Sequence, residues 1–185
     1  MPIARFATEL LQHLERNPVP QDVSSESELE RRFVIPVACR LAASHADVLV
    51  YTHPFRSRRL CAPACVHVPP AGSGRIIGCP KCWTASKAWA SPAAFGTHHS
   101  FDLVARDGSK TLALELKLSR ARGGRMPNGD VQRFLGQCAL AATKHSEVIG
   151  FFAHRGAFDA RWHRDTNAVG KWFKAGNVRL LFRPI

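Results

Sequence analysis

Acidic residues are the scarce class in this chain. Only 14 Asp and Glu stand against 26 Lys and Arg in 185 residues, a formal net charge of +12 with a pI near 10.2. A surface so short of anions attracts a polyanion, and nucleic acid is the first partner to expect; the plainer alternative is a basic surface that serves solubility alone. Long apolar runs are missing too. No stretch approaches the roughly 18 apolar residues of a membrane span, so no membrane association is expected. Met1 to Arg16 lacks an apolar core of signal-peptide length, and Glu9 and Glu15 argue against a transit peptide. These absences make the cytoplasm the expected location. No ATPase or methyltransferase motif ties the chain to a larger system.

The length fits one domain, 1–185, with a proper core and one small insertion. Residues 54–97 carry four cysteines, six prolines and several glycines, a composition that supports neither a long helix nor a regular sheet. Within them, 56–95 reads as a four-cysteine element. Cys61-x3-Cys65 and Cys79-x2-Cys82 have the spacing of ribbon-like zinc sites. Four thiolates on one tetrahedral Zn2+ would order a loop that buries little apolar surface, whereas two disulfides are the lesser alternative in a reducing compartment. His53 and His67 are substitute ligands. Cys39 and Cys138 fall on apolar helix stripes and read as small core residues.

Ile3, Phe6, Ala7, Leu10, Leu11 and Leu14 recur at helical spacing, and Asn17-Pro18-Val19-Pro20 ends that helix. A second helix starts at Ser24-Ser25-Glu26-Ser27-Glu28 and continues through Leu29, Phe33, Val37 and Leu41; Pro36 removes a backbone donor, which predicts a kink or break near Val34. Asp47 to His53 reads as the first strand. Asn128-Gly129-Asp130 offers the cap of a helix buried along Val131, Phe134, Leu135, Cys138, Ala141 and Ala142. Glu147 to His154 is an apolar strand of the doubly buried kind, Asp165 or Thr166 starts a helix through Lys174, Gly176 stops it, and Val178 to Phe182 is the last strand. This order predicts an α/β fold, a central mixed sheet flanked by helices, and a homodimer is left open.

The chemistry is expected in the hairpin. Thr111 to Leu118 alternates, with Leu112, Leu114, Leu116 and Leu118 on one face and Ala113, Glu115 and Lys117 on the other. Asp107-Gly108 is a turn signal that pairs Ser100 to Arg106 with this strand. A two-residue loop there sets Asp102 opposite Ala113, and a four-residue loop, 107–110, sets it opposite Glu115. Both leave Asp102, Glu115 and Lys117 on one face, and only a three-residue loop without a bulge flips Asp102 away. Two hard oxygen donors at that separation suit Mg2+ or Mn2+, with the lysine beside the metal. His98 shares that face at the strand's far end.

Asp-x12-Glu-Leu-Lys on a hairpin resembles the core motif of the PD-(D/E)XK, or restriction-endonuclease-like, nuclease superfamily, and the order of elements from 24 to 155, less the insertion, is similar to that superfamily's core. Phe101 stands where the motif has proline. The resemblance implies Asp102 and Glu115 as metal ligands, the carbonyl of Leu116 as a third oxygen, and Lys117 as the residue that places or activates water. It further implies a helix glutamate ahead of an Ile-Pro such as Ile35-Pro36, with Glu26 favoured over Glu30, and a Gln or Arg facing the substrate on the helix after the motif, here Gln137 or Arg133. Helix-start acids favoured by the dipole and a solvated Arg-Gln pair are the plainer readings. Arg56, Arg58, Arg59, Arg120, Arg122 and Arg125 are the remaining phosphate-contact candidates. The expectation is a Mg2+-dependent nuclease, DNA more readily than RNA, and its rival is a non-catalytic zinc-containing nucleic-acid-binding module.

Overall fold

The computed structural model describes residues 2–42, 44, 45, 48–52, 59, 60, 93, 94, 97, 98, 101–120, 127–156, 160–174 and 176–185. The expected zinc ligands Cys61, Cys65, Cys79 and Cys82, the histidines His53 and His67, and Arg56, Arg58, Arg122 and Arg125 lie outside the described residues, as do the side chains of Cys39, Arg59 and His98.

Helix α1 (Pro2–Arg16) buries the expected stripe of Ile3, Phe6, Ala7, Leu10 and Leu14, each large side chain contributing about 1.5–3 kcal/mol of apolar burial. The second helix is continuous but changes pitch: α2 (Glu26–Leu29), a π-helical turn (Glu30–Val34) and α3 (Ile35–Ala42). The break expected near Val34 is therefore a widened turn, closed by the Ile35 N–H on the Glu30 carbonyl, just ahead of the donorless Pro36. Ser25 caps α2 by accepting from the Glu28 N–H, and Glu28 returns to accept from the Ser24 N–H and hydroxyl, both at 2.8 Å.

Six strands form one sheet in the order β2-β1-β5-β6-β7-β8: β1 (Leu49–Thr52), β2 (Arg59–Leu60), β5 (Leu103–Asp107), β6 (Lys110–Arg120), β7 (Glu147–Arg155) and β8 (Val178–Pro184). A separate pair joins β3 (Ala93–Ala94) and β4 (Thr97–His98). His98 therefore belongs to that pair, and the hairpin's first strand starts at Leu103 instead of Ser100. Strands β1, β2, β5 and β6 run antiparallel, while β6, β7 and β8 are parallel neighbours joined through α4 (Asn128–Ala142) and α5 (Ala160–Lys174). The mixed α/β class expected from the element order is the class observed. Helix α5 begins earlier than its expected Asp165 or Thr166 start. Thr166 lies inside it and donates to the carbonyl of Trp162, four residues back.

Two cores follow, one on each face. Helices α1, α2 and α3 pack with Leu103, Leu112, Leu114, Leu116, Ile149 and Phe151; α4 and α5 pack with Val104, Ala113, Val148 and Phe152. The face of β6 that carries Ala113 and Glu115 is thus covered as well: Ala113 is fully buried and Glu115 is 6% exposed. Parallel neighbours force this, because each crossover lays a helix on the sheet. Gly150 allows the approach of α4, since a Cβ there would stand 2.7 Å from Cys138 Sγ, Phe134 Cζ and Leu180 Cδ2. Among the described residues, no helix is long and apolar enough to cross a membrane.

Candidate active site

The hairpin turns at Gly108 and Ser109, one residue later than Asp107-Gly108 predicts, and Gly108 supplies the positive φ of 56°. Asp107 pairs with Lys110 and Leu103 with Leu114. One further step of that register sets Asp102 against Glu115, the geometry expected of the longer loop, and it keeps Asp102, Glu115 and Lys117 in one phase.

Strand β6 outruns β5. Past Leu103 its N–H groups on that edge lose their backbone partners, and two carboxylates replace them. Leu116 N–H donates to Asp102 Oδ2 at 2.7 Å, and Leu118 N–H donates to Glu26 Oε1 at 3.4 Å. Glu26 comes from the other end of the chain, positioned by the loop before α2. That loop is tied down twice: Arg32 forks onto both oxygens of Asp22 at 2.8 and 2.9 Å, and Arg155 at the end of β7 donates to the carbonyls of Gln21 and Val23.

Lys117 closes the arrangement. Its ammonium lies 2.6 Å from Glu26 Oε1 and 4.0 Å from Asp130 Oδ1, with its side chain 15% exposed. Asp130 uses its second oxygen to accept the Ser119 hydroxyl at 2.6 Å. Asp130 was read from sequence as part of a helix cap, but Pro127 occupies the N-cap of α4 and makes no side-chain cap bond. Its position one turn into the helix that follows the Glu-x-Lys strand is the signal that would have found it.

An open cleft of about 630 Å³ is lined by Glu26, Glu30, Asp102 and Asp130, with Arg120 at its rim and the hydroxyls of Ser24, Ser25, Ser27 and Ser119 in its wall. Glu115 lies behind Asp102. Five of the chain's 14 acids thus gather here, and among the described residues the cations beside them are Lys117 and Arg120, in a protein otherwise dominated by positive charge. Burial pushes the Asp102 carboxyl up, against the Leu116 N–H that favours its charge, and Glu30 and Glu26 push it further. Burial also raises Glu115, with Asp102 and Glu26 adding to it and Lys117 opposing. Both shifts favour the neutral form, because burial strips water from the carboxyls and neighbouring negative charges add to the cost of ionising them. Arg133 is exposed, and neither it nor Gln137 lines the cleft.

No family model matches the chain, and no curated protein or solved structure matches it either. The site must be judged on its own chemistry. Among the described residues no three His, Cys, Asp or Glu side chains form a ready-made cation shell. Glu115 Oε2 is buried with no hydrogen-bond partner among the described residues. A buried carboxylate oxygen left over beside a second acid fits Mg2+, which binds through one or two carboxylates and keeps much of its water.

Proposed function

We propose that this chain is a metal-dependent nuclease that hydrolyses phosphodiester bonds, DNA being the favoured substrate, on a restriction-endonuclease-like core with a zinc-stapled insertion at 56–95. The observation that carries this reading is the convergence of Asp102, Glu115 and Lys117 from one hairpin with Glu26 from α2, around one cleft in a protein of net charge +12.

In this reading Asp102 and Glu115, with the carbonyl of Leu116, would hold Mg2+ or Mn2+. Such an ion, when bound, supplies Lewis-acid polarisation of the phosphoryl oxygen and an acidified water. The chain's own groups divide the remaining work. Lys117 presents a fixed positive charge to the oxygen on which negative charge develops, and a partly buried ammonium does this better than a solvated one. Glu26 and Asp130 hold that ammonium in place. Arg120 takes a flanking phosphate at the rim, and Arg56, Arg58, Arg59, Arg122, Arg125 and Arg133 extend the phosphate-binding surface. Cys61, Cys65, Cys79 and Cys82 would hold a structural Zn2+.

The second reading, a non-catalytic nucleic-acid-binding module, draws on the 2.6 Å contact between Glu26 and Lys117, which also suits an ion pair kept for structure. Supercoiled, linear and single-stranded DNA incubated with and without Mg2+ separates the two. Glu115→Gln should abolish cleavage and weaken Mg2+ binding, and Lys117→Met should keep the metal while slowing cleavage about 10²–10³-fold. Full activity in Glu115→Gln would remove this site from the mechanism. Salt-sensitive binding with no metal-dependent cleavage by the wild type would leave the module reading standing.

A further inference from the structure

A second concavity, of about 570 Å³, lies on the far side of the molecule's last strand, between α5 and β8. Its walls carry His163, Lys171 and Lys174 from α5 and Arg179 from β8, and no Asp or Glu lines it. Arg179 already serves Glu147 at 2.8 Å. Lys171 and Lys174 are exposed and, among the described residues, have no ion-pair partner. Trp162 and Phe182 form an aromatic end to the groove, packed edge to face at 5.8 Å, and His154 lies against the same Trp162. Gly170 sits midway along the helix wall with open space where a Cβ would be.

We propose that this groove binds a single strand of nucleic acid. Positive charge on one wall with aromatic rings at one end is the combination that tracks a sugar-phosphate backbone and offers ring surface to a base. From His163 to Lys174 the helix rises about 16 Å, on the order of three nucleotides of an extended strand. The competing occupant is an acidic peptide that adds to β8, the outermost strand of the sheet. That strand is poorly made for it. Pro184 ends it without an N–H, a feature that blunts a sheet edge, and Arg179 and Arg183 are tied to Glu147 and to the carbonyls of Leu14 and Asn17. The groove's aromatic end also adjoins the candidate active site, because His154 is the register partner of Ser119. The proposal shares its partner class with the nuclease reading but not its site, and binding is measured without cleavage.

The probe is a labelled oligothymidylate of about ten nucleotides, with fluorescence anisotropy read over a salt series and no added divalent metal. Lys171→Glu/Lys174→Glu should weaken binding about tenfold or more and flatten the log-log salt slope by about 1.4, two contacts at about 0.7 each. Lys171→Gln/Lys174→Gln should move both quantities the same way by less, so that the result does not hang on the fold of the charge-reversed protein. Arg16→Glu/Lys144→Glu changes net charge equally at two exposed positions elsewhere and should leave affinity within about twofold. Equal losses in both charge-reversed proteins, unchanged binding in the groove variants, or displacement of the strand by polyglutamate at equal charge would each overturn the proposal. Cleavage lost in Glu115→Gln with strand binding retained would separate the fate of this groove from that of the active site.

Discussion

Glu115 on β6 is the register partner of Gly150 on β7, and that pairing sets how deeply the carboxylate is buried. With no side chain at 150, Cys138 and Phe134 of α4 come down onto the sheet beside Glu115. Burial raises the Cys138 thiol, and the charges of Glu115 and Asp102 raise it further. Gly150→Ala should cost about 1–3 kcal/mol by overpacking, a fall in Tm of roughly 2–4 °C per kcal/mol at this chain length, and should weaken Mg2+ binding by lifting α4. Calorimetry with a Mg2+ titration checks both, and an unchanged Tm would mean that α4 does not press on the strand.

Asp130 holds Ser119 with one oxygen and faces Lys117 with the other. Asp130→Asn keeps an acceptor for the hydroxyl and removes the charge, so Tm should change little while cleavage slows several-fold to about tenfold. Glu26→Gln should cost more, because its contact with the ammonium is 2.6 Å instead of 4.0 Å. Rate constants should rise from Glu26→Gln through Asp130→Asn to Gln137→Ala, and a Gln137→Ala effect as large as the others would place that side chain on the substrate after all.

His145 is buried against Phe101 and shares its Nδ1 with Thr111 Oγ1 at 3.1 Å. Burial pushes its imidazole down to about 4, below the ordinary 6.5. Between those values the unfolded chain binds the proton and the folded one refuses it, so this residue's share of stability is complete above pH 6.5 and falls away as the pH drops toward 4. Asp102 and Glu115, both raised, slope the opposite way in metal-free protein. The difference in unfolding free energy between wild type and His145→Gln isolates the imidazole. It should shrink by at most about 3 kcal/mol from pH 7 to pH 4, and a pH-independent difference would show that the ring is not held neutral.

One tightly held zinc per chain is expected from the cysteine spacing. Cys79→Ser should lose the metal and stability, and Cys138→Ser should keep it, since that thiol lies under α4. Elemental analysis of protein prepared without chelators would reject the idea if no zinc were found.

Much of the sheet was legible because each strand's pattern is set by local alternation and by the helices that cover it. The doubly buried β7, the stripe of α1 and the shared phase of Asp102, Glu115 and Lys117 could all be read this way. The turn at Gly108 and Ser109 moved the register by one step on each strand, which preserves phase. The loss of Glu26 to Lys117 and the role of Gly150 were not legible. Each depends on where a helix from a distant part of the chain meets β6, and no local pattern encodes that meeting.

The π-helical turn at Glu30–Val34 has a consequence for how this protein can change. It holds one residue more than a regular turn needs, which rotates α2 by about 100° relative to α3. Phe33 packs into the core from within the widened turn and Val37 from its far side, so Glu26 owes its bearing on Lys117 to that surplus residue. Deleting the exposed Arg31 should therefore swing the Glu26 carboxylate away from the lysine and turn the buried Leu29 off the core with it. In this stretch an indel is a switch of phase, felt by the cleft and by the core together.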